Sequence, residues 1–284
     1  MLAVNKNKFR IVQISPVEYI HSQCFDEVVL LLKYAFESLG IDCDLSKNIF
    51  DENKINIVVG SNLLKYSDSL KNFIYIPFQL EQISKNSPWF NENFIKIMQN
   101  AYEVWDYSIE NVNTLQKFSV KAKYLPLGYN ERLERIKHLK INDKNIDILF
   151  YGSVNERRKK VLDELNNFNV KILFGVYGAE RDAYIAKSKI LINIHYYETK
   201  IFESVRISYL LNNRCFIISE ESIENPYKDI DLVVAPYEKI VEFCRFYLSR
   251  ADLIEKKRNE NYEQFKTKYY MSNFLNQLLA DIKI

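Results

Sequence analysis

Apolar residues occur along the chain in short runs that alternate with segments of helical spacing. In the first half, β-branched and aromatic runs predict strands at residues 9–14, 41–45, 55–59, 73–77 and 102–106. An apolar stripe between the first two runs ends at Gly40, where a helix C-cap glycine belongs, and a second helix is predicted near residues 92–101. The alternation of strands and helices predicts a parallel α/β sheet.

The second half repeats this rhythm. It predicts strands at 146–151, 170–174, 190–195, 215–219 and 232–235, with helices at 156–167, 179–187 and 202–212 and mostly helical structure after residue 237. The pattern breaks near Pro126 and Gly128, before a highly charged segment. We therefore expect an α/β protein with two Rossmann-like domains, residues 1–135 and 136–284, facing each other across a cleft. A ligand would lie at the carboxyl ends of the strands.

Composition excludes several other classes of protein. Of 284 residues, 48% are hydrophobic, which is enough to fill two cores, and the net charge of +2 argues against a nucleic-acid binder. The four cysteines form no CxxC pair and the chain has only three histidines, so no metal site is predicted. No run of about 18 apolar residues is present, and we expect a cytoplasmic protein.

One candidate site lies where the strand at 146–151 ends. Gly152 would let the backbone approach a ligand closely, and the spacing of Ser153 and Glu156 predicts a capping box for the next helix. The free N–H groups of a helix start favour an anion, whereas Arg157 and Arg158 oppose the helix dipole there. A bound diphosphate would remove that conflict. The alternative is a solvated basic face on an ordinary helix.

A second candidate site follows the predicted strand at 190–195. Glu203 and Arg206 are three residues apart and therefore neighbours at the start of a helix that opens with Phe202. A carboxylate there could accept two ribose hydroxyls, with His195 and Lys200 pointing toward phosphate or sugar. The alternative is a surface ion pair between Glu203 and Arg206.

Residues 147–221 resemble the donor-binding domain of GT-B-fold glycosyltransferases, in particular bacterial family 1 and 4 type proteins that act on surface polysaccharides. The second half carries this likeness in Phe150-Tyr151-Gly152-Ser153, Gly178-Ala179-Glu180-Arg181, Leu191 with Asn193, His195 and Tyr196, Phe202-Glu203-x-x-Arg206, and Ile217-Ile218-Ser219-Glu220. The first half adds Phe78-Gln79-Leu80-Glu81-Gln82 and Val104-Trp105-Asp106-Tyr107-Ser108. The matching segments together extend over most of the chain.

The resemblance implies a metal-independent enzyme that moves a sugar from a nucleotide-sugar donor to a hydroxyl of a glycan or lipid-linked acceptor, in surface glycan synthesis. It implies no cofactor besides the donor, an acceptor-side first domain on which the last helix packs, and peripheral contact with the inner face of the membrane. The donor would be bound by Gly152, Ser153, Arg157, Arg158, His195, Lys200, Phe202, Glu203 and Arg206. Many retaining members carry two acids eight positions apart, and here Glu203 matches the second while His195 occupies the first.

An inverting enzyme needs a general base for the acceptor hydroxyl. His21 follows the first strand, where some inverting relatives carry a catalytic histidine, and Glu81 and Asp106 are further candidates on loops after first-domain strands. A surface or capping role for His21 is the alternative, and both stereochemical outcomes stay open. Two other functions also stay open. The chain could be a non-catalytic nucleotide-sugar-binding or partner subunit, or it could be an epimerase or phosphorylase of the same fold.

Overall fold

The computed structural model describes residues 8–84 and 87–282, so the outermost residues of the two predicted domains lie outside the described residues. The described chain forms two compact units. The first contains the residues up to Asn130 together with those from Tyr270 onward, and the second is Glu131–Tyr269.

The first unit contains a parallel sheet of six strands in the order β2-β1-β3-β4-β5-β6. The strands are β1 (Phe9–Gln13), β2 (Cys43–Lys47), β3 (Ile55–Val59), β4 (Ile74–Gln79), β5 (Val104–Asp106) and β6 (Ala122–Tyr124). The helices between them are α1 (Asp26–Ser38), α2 (Glu92–Gln99) and α3 (Ile109–Gln116). Strand β3 is buried along its whole length, as expected for a parallel strand covered on both faces.

Two elements of this unit were missed by the sequence analysis, which expected five strands. Strand β6 has three half-buried residues, too few for a periodic signal. Helix α3 begins after Ser108, whose side chain accepts a hydrogen bond from the backbone N–H of Asn111 at 3.2 Å. Only part of α3 is buried, so its apolar stripe is short.

The second unit contains a parallel sheet of five strands in the order β11-β10-β9-β7-β8. The strands are β7 (Ile146–Tyr151), β8 (Val170–Leu173), β9 (Ser188–Asn193), β10 (Ile217–Glu220) and β11 (Val233–Ala235). The helices are α4 (Glu156–Glu164), α5 (Gly178–Ala186), α6 (Ser204–Asn212), α7 (Ile240–Leu248) and α8 (Ala251–Lys268). The predicted α/β class with parallel sheets is confirmed.

The last helix, α9 (Met271–Leu279), belongs to the first unit, where it packs against α1. The backbone N–H of Met271 donates to the carbonyl of Tyr129 at 2.9 Å, which fixes the start of α9 beside the end of the first segment. Helix α8 stays in the second unit and packs against α6 and α7.

Adjacent parallel strands bring polar residues together at one edge of each sheet. In the second unit, β7, β9 and β10 are neighbours and end at Tyr151, Asn193 and Glu220. In the first unit, β4 and β5 are neighbours and end at Gln79 and Asp106. Carboxyl ends of neighbouring parallel strands are where α/β sheets place their ligands.

Candidate functional site

The turn between β7 and α4 is built differently from the predicted capping box. Asn155, and not Ser153, is the N-cap, because its side-chain oxygen accepts the N–H of Arg158 at 3.0 Å. Ser153 is exposed and contributes its backbone carbonyl, which accepts a hydrogen bond from Arg158 Nη1 at 2.8 Å. The helix start expected at this edge is therefore present, with a different residue capping it.

Glu203, directly before α6, lies at the centre of a polar cluster. Its Oε2 is 3.0 Å from Nδ1 of His195 and accepts a hydrogen bond from Asn193 Nδ2 at 2.7 Å. Its Oε1 is 3.7 Å from Arg158 Nη2. Burial works to raise the pKa of Glu203, but His195, Arg206 and Asn193 stabilise the carboxylate and hold that pKa below its ordinary value.

Two arginines link the ends of β7 and β9 around this carboxylate. Arg158 is buried and donates from Nε to the carbonyl of Ile194 at 2.8 Å. Arg206 donates from Nη1 to Asn193 Oδ1 at 2.6 Å and from Nη2 to the carbonyl of Tyr151 at 2.9 Å. Burial, together with the charge of Arg206, lowers the pKa of Arg158 to about 9. Both guanidinium groups are thus held mainly by protein oxygen atoms.

Gly152 leaves the space that these arginines occupy. Its φ of +131° is one that residues with a side chain rarely adopt. A Cβ at this position would lie 2.8 Å from Arg206 Nη2 and 3.7 Å from Arg158 Nη1. The glycine is therefore needed both for the backbone turn and for the close approach of Arg206.

A second carboxylate, Glu220, was not among the predicted site residues. It is fully buried at the end of β10 and accepts hydrogen bonds from Arg157 Nη1 at 2.6 Å, from Arg157 Nη2, and from the backbone N–H of His195 at 3.0 Å. The Arg157 guanidinium also lies 4.0 Å from the ring centroid of Tyr237. Lys200 Nζ is 3.8 Å from Glu220 Oε1. The sequence signal was an acid that ends an apolar run at a strand end.

The remaining second-unit candidates differ in accessibility. The Lys200 side chain is 43% exposed. His195 is fully buried, and its Nε2 lies 3.0 Å from both the Glu221 carbonyl and Ser222 Oγ, so the ring is held in place beside Glu203. Phe202 is buried and packs edge-on against Tyr227 at 5.6 Å between ring centroids, which makes it a packing residue in this structure.

In the first unit, Asp106 is fully buried at the end of β5. Its Oδ1 accepts the N–H of Ser108 at 2.9 Å and Asn111 Nδ2 at 3.0 Å, and its Oδ2 accepts Gln79 Nε2 at 3.1 Å. Both carboxylate oxygens are therefore committed to neighbouring protein groups.

The other two first-unit candidates are less enclosed. His21 lies on a short 3-10 helix, Ile20–Phe25, with its ring edge-on to Tyr19 at 5.4 Å between centroids. Glu81 is partly exposed on the loop after β4. Desolvation by the surrounding protein raises the pKa of the Glu81 carboxyl to about 7. Within residues 8–84 and 87–282, no group of three or more His, Cys, Asp or Glu side chains could hold a metal ion.

Sequence comparison finds relatives of undetermined function. No protein-family model matches the chain. The uncharacterized protein L138 of Acanthamoeba polyphaga mimivirus is 27% identical over 259 residues, which cover 80% of this chain and 29% of L138. The uncharacterized protein L140 of the same virus is 29% identical over 220 residues, covering 72% of this chain and 71% of L140. The chain spans about a third of the length of L138 and of L137, another such relative.

Structure comparison is more informative about the fold. AviGT4, a glycosyltransferase involved in avilamycin A biosynthesis, superposes with a TM-score of 0.56 at 8% identity, covering 96% of both chains. The chain has the GT-B fold. An α1,3-fucosyltransferase gives a TM-score of 0.52 at 11% identity, covering 100% of this chain and 93% of its own. TarM gives 0.53 at 11% identity over 81% of this chain and 55% of its own.

These low identities show the fold alone, and a reaction must be argued from the site. The sequence relatives are viral, so a bacterial surface-polysaccharide type remains a prediction. In the described part of the chain, no helix has both the length and the apolar character needed to cross a membrane.

Proposed function

We propose that the chain is a nucleotide-sugar-dependent glycosyltransferase whose second unit binds the donor. The observation that carries this proposal is the charge at the ends of β7, β9 and β10. Arg157, Arg158, Arg206 and Lys200 gather around two carboxylates, those of Glu203 and Glu220. An excess of cations in a partly buried place is unfavourable unless an anion neutralises it, and a nucleoside diphosphate group supplies that anion.

The geometry favours a division of roles among these groups. The α4 start, Arg157 and Lys200 are the accessible cationic features, and we assign them to the diphosphate. Glu203 Oε1 makes no hydrogen bond within the described residues, although it is buried, and we assign it to the ribose hydroxyls. Arg158 and Arg206 then hold Glu203 and the strand ends in place.

The acceptor and the place of action are proposed only in general terms. The sugar would pass to a hydroxyl of a glycan or lipid-linked acceptor, without a metal, in surface glycan synthesis. The protein would act in the cytoplasm, at the inner face of the membrane. The viral relatives L138 and L137 are about three times as long as this chain. The acceptor and the place of action are therefore proposals about the whole protein.

A second candidate function is a non-catalytic nucleotide-sugar-binding or partner subunit. The observation that favours it is His195, which occupies the place of the first acid of retaining relatives. Its ring is buried and held against Glu203. Such a protein would bind the donor and leave it intact.

Both candidates can be tested with UDP-glucose, GDP-mannose, CMP-sialic acid and dTDP-glucose. A ligand at 100 times its Kd should add about 2.7 kcal/mol to the free energy of unfolding, visible as a thermal shift. Glu203→Ala should weaken binding in calorimetry by about 1.5–3 kcal/mol, because charge-assisted hydrogen bonds to ribose are lost.

The matched control is Glu164→Ala, at the exposed end of α4, which should bind as the wild type does. Absence of binding to every sugar nucleotide would refute the proposal. Binding without release of free nucleotide, with water or alkyl glycosides as acceptors, would favour the non-catalytic alternative.

A further inference from the structure

The guanidinium group of Arg157, in the first turn of α4, is held end-on by a buried carboxylate. Glu220, at the end of β10, accepts a hydrogen bond from Arg157 Nη1 at 2.6 Å and another from Nη2. Nη1 also donates to the carbonyl of His195 at 3.1 Å. Because the carboxylate meets both terminal nitrogens, the guanidinium plane cannot turn without losing charge-assisted hydrogen bonds.

Tyr237 holds the same arginine in a second way. Its ring lies against the face of the guanidinium group, with 4.0 Å between Arg157 Cζ and the ring centroid. Its hydroxyl donates to the backbone carbonyl of Arg157 at 2.7 Å. Tyr237 begins a short 3-10 helix directly after Pro236, whose ring restricts the backbone at that point. One side chain thus contacts Arg157 both at its backbone and at its charged end.

The N–H bonds that Arg157 has left form a fork on one edge of its guanidinium group. A guanidinium carries five N–H donors in a fixed plane. Glu220 and His195 take both of those on Nη1 and one of those on Nη2. The N–H of Nε and the second N–H of Nη2 make no hydrogen bond in the part of the chain that the structure describes. These two bonds are parallel neighbours, and such a pair matches two oxygen atoms of one phosphate group.

Lys200 lies toward the same end of the arginine. Its Nζ is 3.8 Å from Glu220 Oε1, the oxygen that Arg157 Nη2 also contacts. The other oxygen, Oε2, accepts from Arg157 Nη1 and from the backbone N–H of His195. The Lys200 side chain is partly exposed and its stem is flexible, so its amine can reach a second phosphate group beside the first.

We propose that Tyr237 and Glu220 are positioning residues, which turn the Nε and Nη2 edge of Arg157 toward the diphosphate of the donor. The inference rests on the proposed function. One phosphate group accepts both N–H bonds of that edge, and the other lies beside Lys200. Tyr237 acts through Arg157 and does not itself contact the ligand. Because the arginine is held in place before the ligand arrives, less side-chain entropy is lost on binding.

Calorimetry with inorganic pyrophosphate tests this assignment without assuming which base or sugar the donor carries. Arg157→Lys keeps the charge and loses the fork, so it should weaken pyrophosphate binding about 10–100-fold. Tyr237→Leu removes the ring and should weaken binding about 3–10-fold. Tyr237→Phe keeps the ring and should stay within about 3-fold of wild type. The same order of affinities should hold for the sugar nucleotide that binds best.

Tyr184→Leu is the matched control. The Tyr184 ring also supports a cation, with its centroid 5.0 Å from Lys171 Nζ. It lies near the end of α5, where the Tyr184 carbonyl accepts a hydrogen bond from Ser188 Oγ at the start of β9. This variant loses a comparable contact at the opposite edge of the same sheet, so it should bind pyrophosphate as the wild type does.

Nitrogen-15 NMR of the arginine Nε–H groups gives a readout that needs no substitution at Tyr237. The signal that is absent from Arg157→Lys should shift, and exchange more slowly with water, when pyrophosphate is added to the wild type. A signal that stays in place, or unchanged binding by Arg157→Lys or Tyr237→Leu, would overturn the inference. Equal losses in Tyr237→Leu and Tyr237→Phe would refute the role of the ring.

The outcomes separate this inference from the proposed function. If the wild type binds a sugar nucleotide and the Arg157 and Tyr237 variants bind it equally well, only the inference fails. A wild type that binds pyrophosphate through Arg157 and Tyr237 but binds no sugar nucleotide would refute the proposed function alone. A wild type that binds neither would overturn both.

Discussion

Gly152→Ala is the substitution for which the structure gives the most definite expectation. The new Cβ would have to sit 2.8 Å from Arg206 Nη2, and the backbone φ of +131° would be strained by any side chain. Backbone strain of this kind costs about 1–3 kcal/mol. The guanidinium can move away, but it would then give up its bonds to Tyr151 and Asn193, at 2.9 and 2.6 Å. Hydrogen bonds from a charged group contribute about 1.5–3 kcal/mol each.

We therefore expect Gly152→Ala to lower the free energy of unfolding by about 2–5 kcal/mol and to weaken donor binding. Gly178→Ala is the matched control in the same unit. Gly178 has a φ of +55° and nothing within 4 Å of an added Cβ, so it should show the backbone strain alone, about 1–2 kcal/mol. Urea denaturation and calorimetry with the sugar nucleotide that binds best would measure both effects.

A double-mutant cycle identifies the cause. If the added methyl acts by displacing Arg206, then Gly152→Ala should cost less in an Arg206→Ala background, with a coupling of about 1 kcal/mol or more. Additive effects, or a Gly152→Ala variant no less stable than Gly178→Ala, would refute the argument that Gly152 serves the approach of Arg206.

Two further predictions concern the acids Glu220 and Glu81. Glu220→Ala should lower the free energy of unfolding, measured by urea denaturation, by about 3 kcal/mol, because Arg157 loses its carboxylate partner. Adding Arg157→Ala should recover part of that loss. A double variant less stable than Glu220→Ala alone would contradict the prediction. Since burial raises the pKa of Glu81 from 4.5 to about 7, its favourable contribution is present below pH 4.5 and is lost as the pH rises through 7. Between pH 4.5 and about pH 7, the free energy of unfolding of the wild type should thus fall by up to about 3 kcal/mol relative to that of Glu81→Gln. Free energies of unfolding that change in parallel with pH in the two proteins would contradict the prediction.

The fold could be predicted because apolar periodicity depends on burial, and burial is strong in both sheets. Strands such as β3 and β7 carry the apolar runs that a parallel sheet requires, and both were predicted with the bounds that the structure has. The misses were β6 and α3, which are short and only partly buried. Strand β6 depends on pairing with β5, which is a tertiary contact, and α3 depends on the Ser108 cap, which is a local one. Neither contact produces a periodic pattern in the sequence.

The candidate site could be predicted only in part, because sequence spacing does not show which polar groups face each other. Arg206 lies beside Gly152 and bonds to Tyr151 and Asn193, at the ends of the adjacent strands β7 and β9, and Glu203 also accepts a hydrogen bond from Asn193. Glu220 was missed, since its importance depends on Arg157, 63 positions away in the chain. The N-cap was assigned to Ser153 because its spacing to Glu156 suggested a capping box, whereas Asn155 makes the contact.

The histidine at position 195 determines the electrostatics around Glu203 in the proposed donor site. An acid at that place, 3.0 Å from Glu203, would put two carboxylates side by side and raise the pKa of one of them. His195 instead helps to hold the pKa of Glu203 below its ordinary value, so Glu203 remains an acceptor for hydroxyl donors such as those of ribose. The same exchange removes from the second unit the carboxylate that retaining relatives place near the donor sugar.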